Sequence, residues 1–240
     1  MGRRPLARRR SDHGHSGDCG DSYRQDETSC RIPVETRTHD SPTSPGPNPS
    51  QRRRIDILSY MSVFTNPAGG TPEQTREYAT AVLDLLGEEE PLVVLGRTNE
   101  RLDPLIGGLT REELATPEAP GKWSICAVVQ HLADAELVWA YRLRRVLAED
   151  RPPISGYDQD LWSARLRYEQ ADFQEAREQF VVLRHSNVRI VGSASEGDLQ
   201  RVGVHAVRGE QTLHVLMQWW AGHDLLHLRQ IDRIGRVVHR

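Results

Sequence analysis

The stretch that decides the fold is residues 212–237, which read TLHVLMQWWAGHDLLHLRQIDRIGRV. Apolar residues fall on almost every side of a helix drawn through this stretch, with few polar positions between them. A helix with so little polar surface lies in the centre of a protein or in a subunit interface. The sequence therefore predicts a long central helix close to the C-terminus.

Two histidines in this helix, His223 and His227, are one helical turn apart. Residues at i and i+4 share one face of a helix, with Cβ atoms about 5–6 Å apart, so both imidazoles can bind the same metal ion. A third histidine, His131, lies in another helical stretch and would complete a set of three. Three protein ligands leave a coordination position for water or substrate, which is typical of catalytic metal sites. The alternative is that these histidines are packed in the core and hydrogen-bonded to backbone or carboxylate groups.

The sequence from Met61 onward is otherwise almost entirely helical in pattern. Apolar spacing and capping residues predict further helices over 71–87, 91–107, 124–148 and 172–191, with short helical pieces at 110–113 and 160–166. A single short extended segment is expected around 202–207. Amphipathic helices with almost no strand signal predict an all-α four-helix bundle. Connections of about 20 residues on both sides of the 124–148 helix indicate crossover connections, since simple hairpins need fewer residues.

The first 60 residues differ in composition from the rest of the chain. They contain only 12 apolar residues, and they hold 11 of the 31 basic residues. Such a segment cannot bury enough apolar surface to offset its ordering entropy. We therefore predict a disordered arginine- and proline-rich tail at 1–60 and a folded domain at 61–240, with translation expected to start at Met61. The alternatives are a solvated tail without a role and an arginine-rich arm that binds nucleic acid.

Features of membrane and secreted proteins are missing from the sequence. No apolar run is long enough for a membrane span, and the charged N-terminus lacks the apolar core of a secretory signal. After Met61 the only cysteine is Cys126, so the predicted domain has no internal disulfide, as is usual in a reducing cytoplasm. We expect a cytoplasmic protein.

Two motifs give the chain a resemblance to a known family. The first is GKWSI at 121–125 followed by QHLADAE at 130–136, and the second is GHDLLHLRQI at 222–231. Both motifs, in this order and about 90 residues apart, resemble the DinB/YfiT-like superfamily of small helical metalloproteins over residues 88–236. The sequence departs from that pattern at Ala127, where relatives often have a glutamate that completes a capping box.

The resemblance implies one divalent metal ion, usually zinc or nickel, bound by His131, His223 and His227, and often a homodimer. Three imidazoles suit both metals, so the sequence does not choose between them. Members of the family include S-transferases and isomerases that use low-molecular-weight thiols such as bacillithiol or mycothiol. We expect metal-dependent thiol transfer or isomerisation of a small-molecule substrate. The alternatives are a metal-dependent hydrolase and a non-catalytic metal-binding protein of a stress response, while a membrane or nucleic-acid partner is not expected.

Other polar residues near the motifs are candidates for supporting roles. Gln230 lies three residues after His227 and is predicted to orient a ligand or a bound water, with structural packing as the alternative. Asp134 and Glu136 are candidate acceptors for an imidazole N–H, although a solvated helix face is expected for at least one of them. Asp224 points about 100° away from its neighbouring histidine, so we predict a salt bridge for it.

The remaining candidates carry weaker signals. Cys126 is predicted to be a core residue, because it lies off the face of the helix that carries the histidine. His205 and His214 are candidate residues at the rim of a pocket. Trp219 and Trp220 are predicted to pack in the core or in a dimer contact.

Overall fold

The computed structural model describes residues 72–239 of the chain. Its elements, in chain order, are α1 (Pro72–Leu86), α2 (Pro91–Ile106), α3 (Arg111–Ala115), α4 (Ile125–Ala148), β1 (Pro153–Ile154), α5 (Gln159–Arg165), a 3₁₀ turn (Tyr168–Gln170), α6 (Phe173–Gly192), α7 (Glu196–Leu199), β2 (Val202–His205), β3 (Gly209–Thr212) and α8 (Leu213–Val238). The predictions of a disordered tail and of a translation start at Met61 concern residues outside the described part.

Four long helices, α2, α4, α6 and α8, form the predicted four-helix bundle. Each packs against two neighbours, in the cyclic order α2, α8, α4, α6, and α1 packs on the outside of α8. The chain therefore crosses the bundle diagonally from α2 to α4 and again from α6 to α8. The connection between α4 and α6 was also predicted to be a crossover, but it joins neighbouring helices. Its residues form β1, α5 and the 3₁₀ turn.

Local capping signals determine where the main helices begin. The Ser124 hydroxyl accepts a hydrogen bond from the backbone N–H of Ala127 at the start of α4. Asp172 caps α6 by accepting from two backbone N–H groups. Thr110 and Glu113 form the predicted capping box around α3. These helix boundaries agree with the predicted ones to within about two residues.

A small sheet was not predicted in full. Strand β2 pairs in parallel with β1 and antiparallel with β3. Val202 and Val204 lie in β2 as expected, whereas Val207 lies in the turn that follows it. Strand β2 lies close to α4, since a Cβ added to Gly203 would be 2.9 Å from Cγ2 of Val146. The sheet therefore packs on the C-terminal half of α4.

The bundle core consists of two apolar clusters separated by a polar layer. Along α8 the cluster changes between Leu226 and Leu228, and along α4 it changes between Ala133 and Ala135. Polar side chains fill the level between the clusters, and we call this set the polar layer: Thr98, His131, Asp134, Glu136, Arg184, Asn187, His223, Asp224 and His227. Each of the four bundle helices contributes to it. Buried polar groups are costly unless they are hydrogen-bonded, so their concentration at one level indicates a site.

Within residues 72–239, no helix is long and apolar enough to cross a membrane.

Helices α1 and α8 approach each other closely at Gly222, beside the histidine pair. A Cβ added there would overlap the backbone carbonyl oxygen of Val82 and lie 2.7 Å from its Cγ1. We predict that Gly222→Ala destabilises the protein by about 1–3 kcal/mol, even though alanine is favoured over glycine in a helix by about 1 kcal/mol. The free energy of unfolding in urea measures the effect.

The control for this prediction is Gly96→Ala in α2. Gly96 is exposed, and a Cβ added there meets nothing within 4 Å. The control variant should be more stable than the parent by about 0.5–1 kcal/mol. Equal effects of the two substitutions would contradict the close approach of α1 to α8.

Candidate metal centre

Three histidine side chains converge in the polar layer. His223 and His227 lie one turn apart on α8, and His131 reaches them from α4. The Nε2 atom of His223 lies 3.1 Å from Nε2 of His131 and 3.2 Å from Nε2 of His227. One ring nitrogen from each histidine lies within 4.8 Å of those of the other two. The structure thus brings together the three residues that the sequence analysis selected as ligands.

The spacing of the nitrogens fits a common metal ion. An ion about 2.0–2.1 Å from two imidazole nitrogens in tetrahedral geometry holds those nitrogens about 3.3–3.4 Å apart. The separations of 3.1 and 3.2 Å in the structure are close to this value. Three ligands from two helices leave a further coordination position, as in catalytic sites.

The histidines are held in the neutral form that a metal ion requires. His131 is fully buried and His227 is 6% exposed. Burial lowers the pKa of His227 to about 4. It lowers the pKa values of His131 and His223 well below the usual value, and the neighbouring histidines lower them further. Their lone pairs are therefore available at neutral pH without loss of a proton.

Aromatic rings cover His131. Its ring centroid lies 5.1 Å from that of Trp123, which precedes α4, and 6.4 Å from that of Tyr157, in the loop after β1. The Tyr157 ring in turn packs against Trp162 of α5, with centroids 4.5 Å apart. Tyr157 and Trp162 could not be selected from the sequence, because residues of this connection acquire their neighbours only when it folds back on the bundle.

Gln230 contacts one of the three histidines. Its Oε1 lies 2.8 Å from Nδ1 of His227. A carbonyl oxygen at this position accepts the Nδ1–H proton, which leaves the Nε2 lone pair directed at the other two histidines. Gln230 therefore fixes both the tautomer and the ring orientation of His227.

The predicted roles of Asp134 and Glu136 as imidazole acceptors are wrong. Asp134 accepts from the Tyr168 hydroxyl at 2.6 Å and from Nε2 of Gln130 at 3.3 Å. Glu136 bonds groups on other helices, and within the described residues Nδ1 of His131 and of His223 has no hydrogen-bond partner. Both carboxylates are buried, so the expected solvated face is also wrong. The cause is the rotation of α4, which directs Glu136 towards the bundle axis.

The partner of Glu136 is Arg184, a residue that the sequence analysis did not select. Arg184 donates from Nε and Nη2 to Glu136 at 3.1 and 2.7 Å, and from Nη1 and Nη2 to Asp224 at 2.5 and 3.0 Å. Its remaining N–H bonds the carbonyl of Leu95 at 3.0 Å. All five guanidinium donors are therefore satisfied, and the predicted salt bridge of Asp224 is confirmed.

Further neutral donors complete this network. The Thr98 hydroxyl lies 2.6 Å from Asp224. Nε1 of Trp220 and Nδ2 of Asn187 donate to Glu136 at 2.9 and 3.0 Å. The network links all four bundle helices immediately beside the histidines, since Asp224 follows His223 in α8.

The weaker candidates are not among the three converging histidines. Cys126 is buried as predicted, and its thiol donates to the carbonyl of Ala171. Trp220 lies in the apolar core, and Trp219, which is half-buried, packs against the same core cluster. His205 is buried in β2, whereas His214 is half-buried at the start of α8.

We predict that Gln230→Ala lowers the affinity for zinc about 10–100-fold, because loss of a partner that orients a ligand has effects of this size. Zinc titration against a competing chelator measures the affinity. Arg229→Ala, which removes the exposed neighbour on the same helix, is the control and should bind zinc as the parent does. If Gln230→Ala also bound zinc as tightly as the parent, the contact to His227 would have no part in metal binding.

Comparisons with known proteins agree with this architecture. The sequence profile of the DinB superfamily matches residues 95–231. A relative from Geobacillus thermodenitrificans is 27% identical over 182 residues, which cover 74% of this chain and 93% of the relative. A relative from Oceanobacillus iheyensis is 29% identical over 136 residues, covering 54% of this chain and 76% of the relative. Both are named as inferred metal-dependent hydrolases.

A solved structure shares the fold. YfiT from Bacillus subtilis, which has an unusual four-helix bundle topology, superposes with a TM-score of 0.57 at 23% sequence identity. The superposition covers 62% of this chain and 85% of YfiT.

Proposed function

This chain belongs to the DinB superfamily, and on that premise we propose that it is a metal-dependent hydrolase whose single divalent ion is bound by His131, His223 and His227. The observation that carries the proposal is the convergence of three histidine Nε2 atoms, 3.1 and 3.2 Å apart, from two helices. The names of the relatives favour hydrolysis over the thiol-dependent transfer that the sequence analysis put first.

The metal ion would supply Lewis-acid activation of water and of a polarised substrate group. The side chains around the site create the conditions for this activation. Burial keeps the imidazoles neutral, and Gln230 holds the His227 ring in place. The rings of Trp123 and Tyr157 cover His131 and limit its contact with bulk water. Zinc and nickel are equally suited to three imidazoles, so both are tested.

The experiment measures hydrolysis of a panel of esters, amides and small amine-bearing ring compounds by the untagged full chain loaded with zinc or nickel. Each reaction is run with and without a low-molecular-weight thiol, in water enriched in oxygen-18. Hydrolysis predicts turnover that does not need the thiol, with the heavy oxygen incorporated into a product. His185→Ala, which removes an exposed histidine of α6, is the control and should react as the parent does.

Two results would contradict the proposal. Turnover that requires the thiol and leaves the heavy oxygen out of the product would favour the transferase alternative. Tight metal binding without turnover of any substrate class would favour a non-catalytic metal-binding protein.

A further inference from the structure

Two arginines near the metal centre have no carboxylate partner. Arg142 of α4 stacks on the Trp139 ring at 5.0 Å and donates from Nε and Nη2 to the carbonyl of Ser155. Arg208, in the turn between β2 and β3, stacks on the Trp219 ring at 4.9 Å and donates to the side chain of Gln211. Among the described residues, neither guanidinium forms an ion pair, although Arg142 is only 8% exposed. Buried charges are normally paired.

A third donor in this region is also unpaired. His205 is 7% exposed, and its Nδ1 accepts hydrogen bonds from the backbone N–H groups of Val207 and Arg208 at 3.1 and 3.3 Å. An imidazole nitrogen that accepts carries no proton, so the proton of the neutral ring is on Nε2. Within the described residues this buried Nε2 has no hydrogen-bond partner. In folded proteins, few buried hydrogen-bond donors lack an acceptor.

These three groups lie close to one another. The backbone N–H of Arg208 donates to Nδ1 of His205 at 3.3 Å. A Cβ added to Gly156 would lie 3.7 Å from Nε2 of His205, and Gly156 follows Ser155, whose carbonyl accepts from Arg142. Consistent with these contacts, burial, followed by the charges of Arg208 and Arg142, lowers the pKa of His205 to about 4. The region is therefore rich in hydrogen-bond donors and positive charge.

The cluster adjoins the metal centre on two sides. Trp219, on which Arg208 stacks, precedes His223 by one helical turn. Tyr157, two residues after the Ser155 carbonyl that accepts from Arg142, has its ring 6.4 Å from that of His131. A small molecule bound at the three histidines could therefore extend to the arginines.

We propose that Arg142, Arg208 and the Nε2–H of His205 form a subsite that binds an anionic group of the substrate, a carboxylate or a phosphate, beside the three histidines. Guanidinium groups recognise both oxyanions through paired N–H donors. This proposal rests on the proposed function insofar as the anion belongs to the substrate of that metal centre. The subsite itself consists of residues other than the three histidines, so anion binding can be tested without the metal.

The test is calorimetric titration of the full chain with inorganic phosphate and, separately, with acetate, before and after zinc is added. We expect one of the two anions to bind at one site without zinc, which also identifies the preferred oxyanion. Arg208→Gln should weaken this binding about 10–100-fold, because a hydrogen bond to a charged group contributes about this much to affinity. Arg208→Lys, which keeps the charge and loses the paired donors, should fall between the two. Arg189→Gln, which removes an exposed charge on α6, should bind as the parent does.

Three results would overturn the proposal. Neither anion binding to the parent would exclude the subsite, and so would unchanged binding in Arg208→Gln. Binding that appears only after zinc is added and is unaffected by Arg208→Gln would place the anion on the metal. Thermal unfolding of each variant shows that a loss of binding is not a loss of fold. If the protein hydrolysed a substrate but bound neither anion, only the subsite would be contradicted. If it bound an anion but no metal ion, only the proposed function would be contradicted.

Discussion

Replacing His227 with alanine should reduce the metal content of the purified chain from about one equivalent to a small fraction of it. The side chain is 6% exposed, and its Nε2 lies 3.2 Å from that of His223. Its loss leaves two imidazoles, and it also leaves Gln230 without the ring that it orients. The effect on affinity should exceed the roughly 10–100-fold that removal of an orienting partner causes. Hydrolytic turnover should be lost with the metal.

Elemental analysis of untagged protein, before and after incubation with zinc or nickel, measures this effect. His185→Ala, an exposed histidine on α6, controls for loss of a histidine as such and should keep the parent's metal content. A metal ion present at 1,000 times its dissociation constant stabilises the folded state by about 4 kcal/mol. Thermal unfolding with added metal should therefore shift to higher temperature for the parent and for His185→Ala, and not for His227→Ala.

Two outcomes would contradict the metal centre. If the parent bound neither zinc nor nickel, the three histidines would be core residues whose Nε2 atoms only hydrogen-bond one another. If His227→Ala retained the parent's metal content, the ion would be bound elsewhere on the chain. Far-UV circular dichroism of the variant separates loss of the ligand from loss of the bundle.

The helices and the histidine set could be predicted because their signals are local. Helix α4 begins where Ser124 can cap it, and the i, i+4 spacing alone places His223 and His227 on one face. The contribution of His131 came from the resemblance to a family and from its position in a helical pattern. The structure then shows that rotation of α4 about its axis brings this ring to the other two.

The buried ion network and the sheet could not be predicted, because their contacts join distant parts of the chain. Arg184 lies four residues after Phe180 and three before Asn187, on the buried face of α6, and this spacing is the one signal that could have selected it. Nothing in the sequence pairs it with Glu136, 48 residues away. Strand β1 has only two residues, and so short a segment has no recognisable period.

Replacing Arg184 with methionine should destabilise the protein by about 3–5 kcal/mol, because it leaves two buried carboxylates without their counter-charge. Arg184 is 2% exposed, and Glu136 and Asp224 are each 1% exposed. The guanidinium also lies between the rings of Phe180 and Trp220, 4.8 and 5.0 Å from their centroids. Methionine fills part of this space, so the loss of stability comes mainly from the missing charge and hydrogen bonds. Urea unfolding measures it.

The matched control is Arg177→Met, the same substitution two turns earlier on α6. Arg177 also forms an ion pair, with Asp103 at 2.5 Å, but the two side chains are 31% and 54% exposed. Solvent screens such a pair, so the control should cost less than about 1 kcal/mol. A loss in Arg184→Met no larger than in Arg177→Met would show that the buried network contributes little to stability.

The pH dependence of Arg184→Met distinguishes an unpaired carboxylate from a simple packing defect. Burial raises the pKa of Glu136 above its usual value of 4.5, and Arg184 opposes this rise. Without Arg184, the pKa of Glu136 in the folded state should rise further above its value in the unfolded chain. A carboxyl with a raised folded pKa keeps its stability at low pH and loses it as the pH rises through that pKa. The stability difference between variant and parent should therefore widen from about pH 5 to about pH 8, whereas a packing defect alone would give the same difference at both.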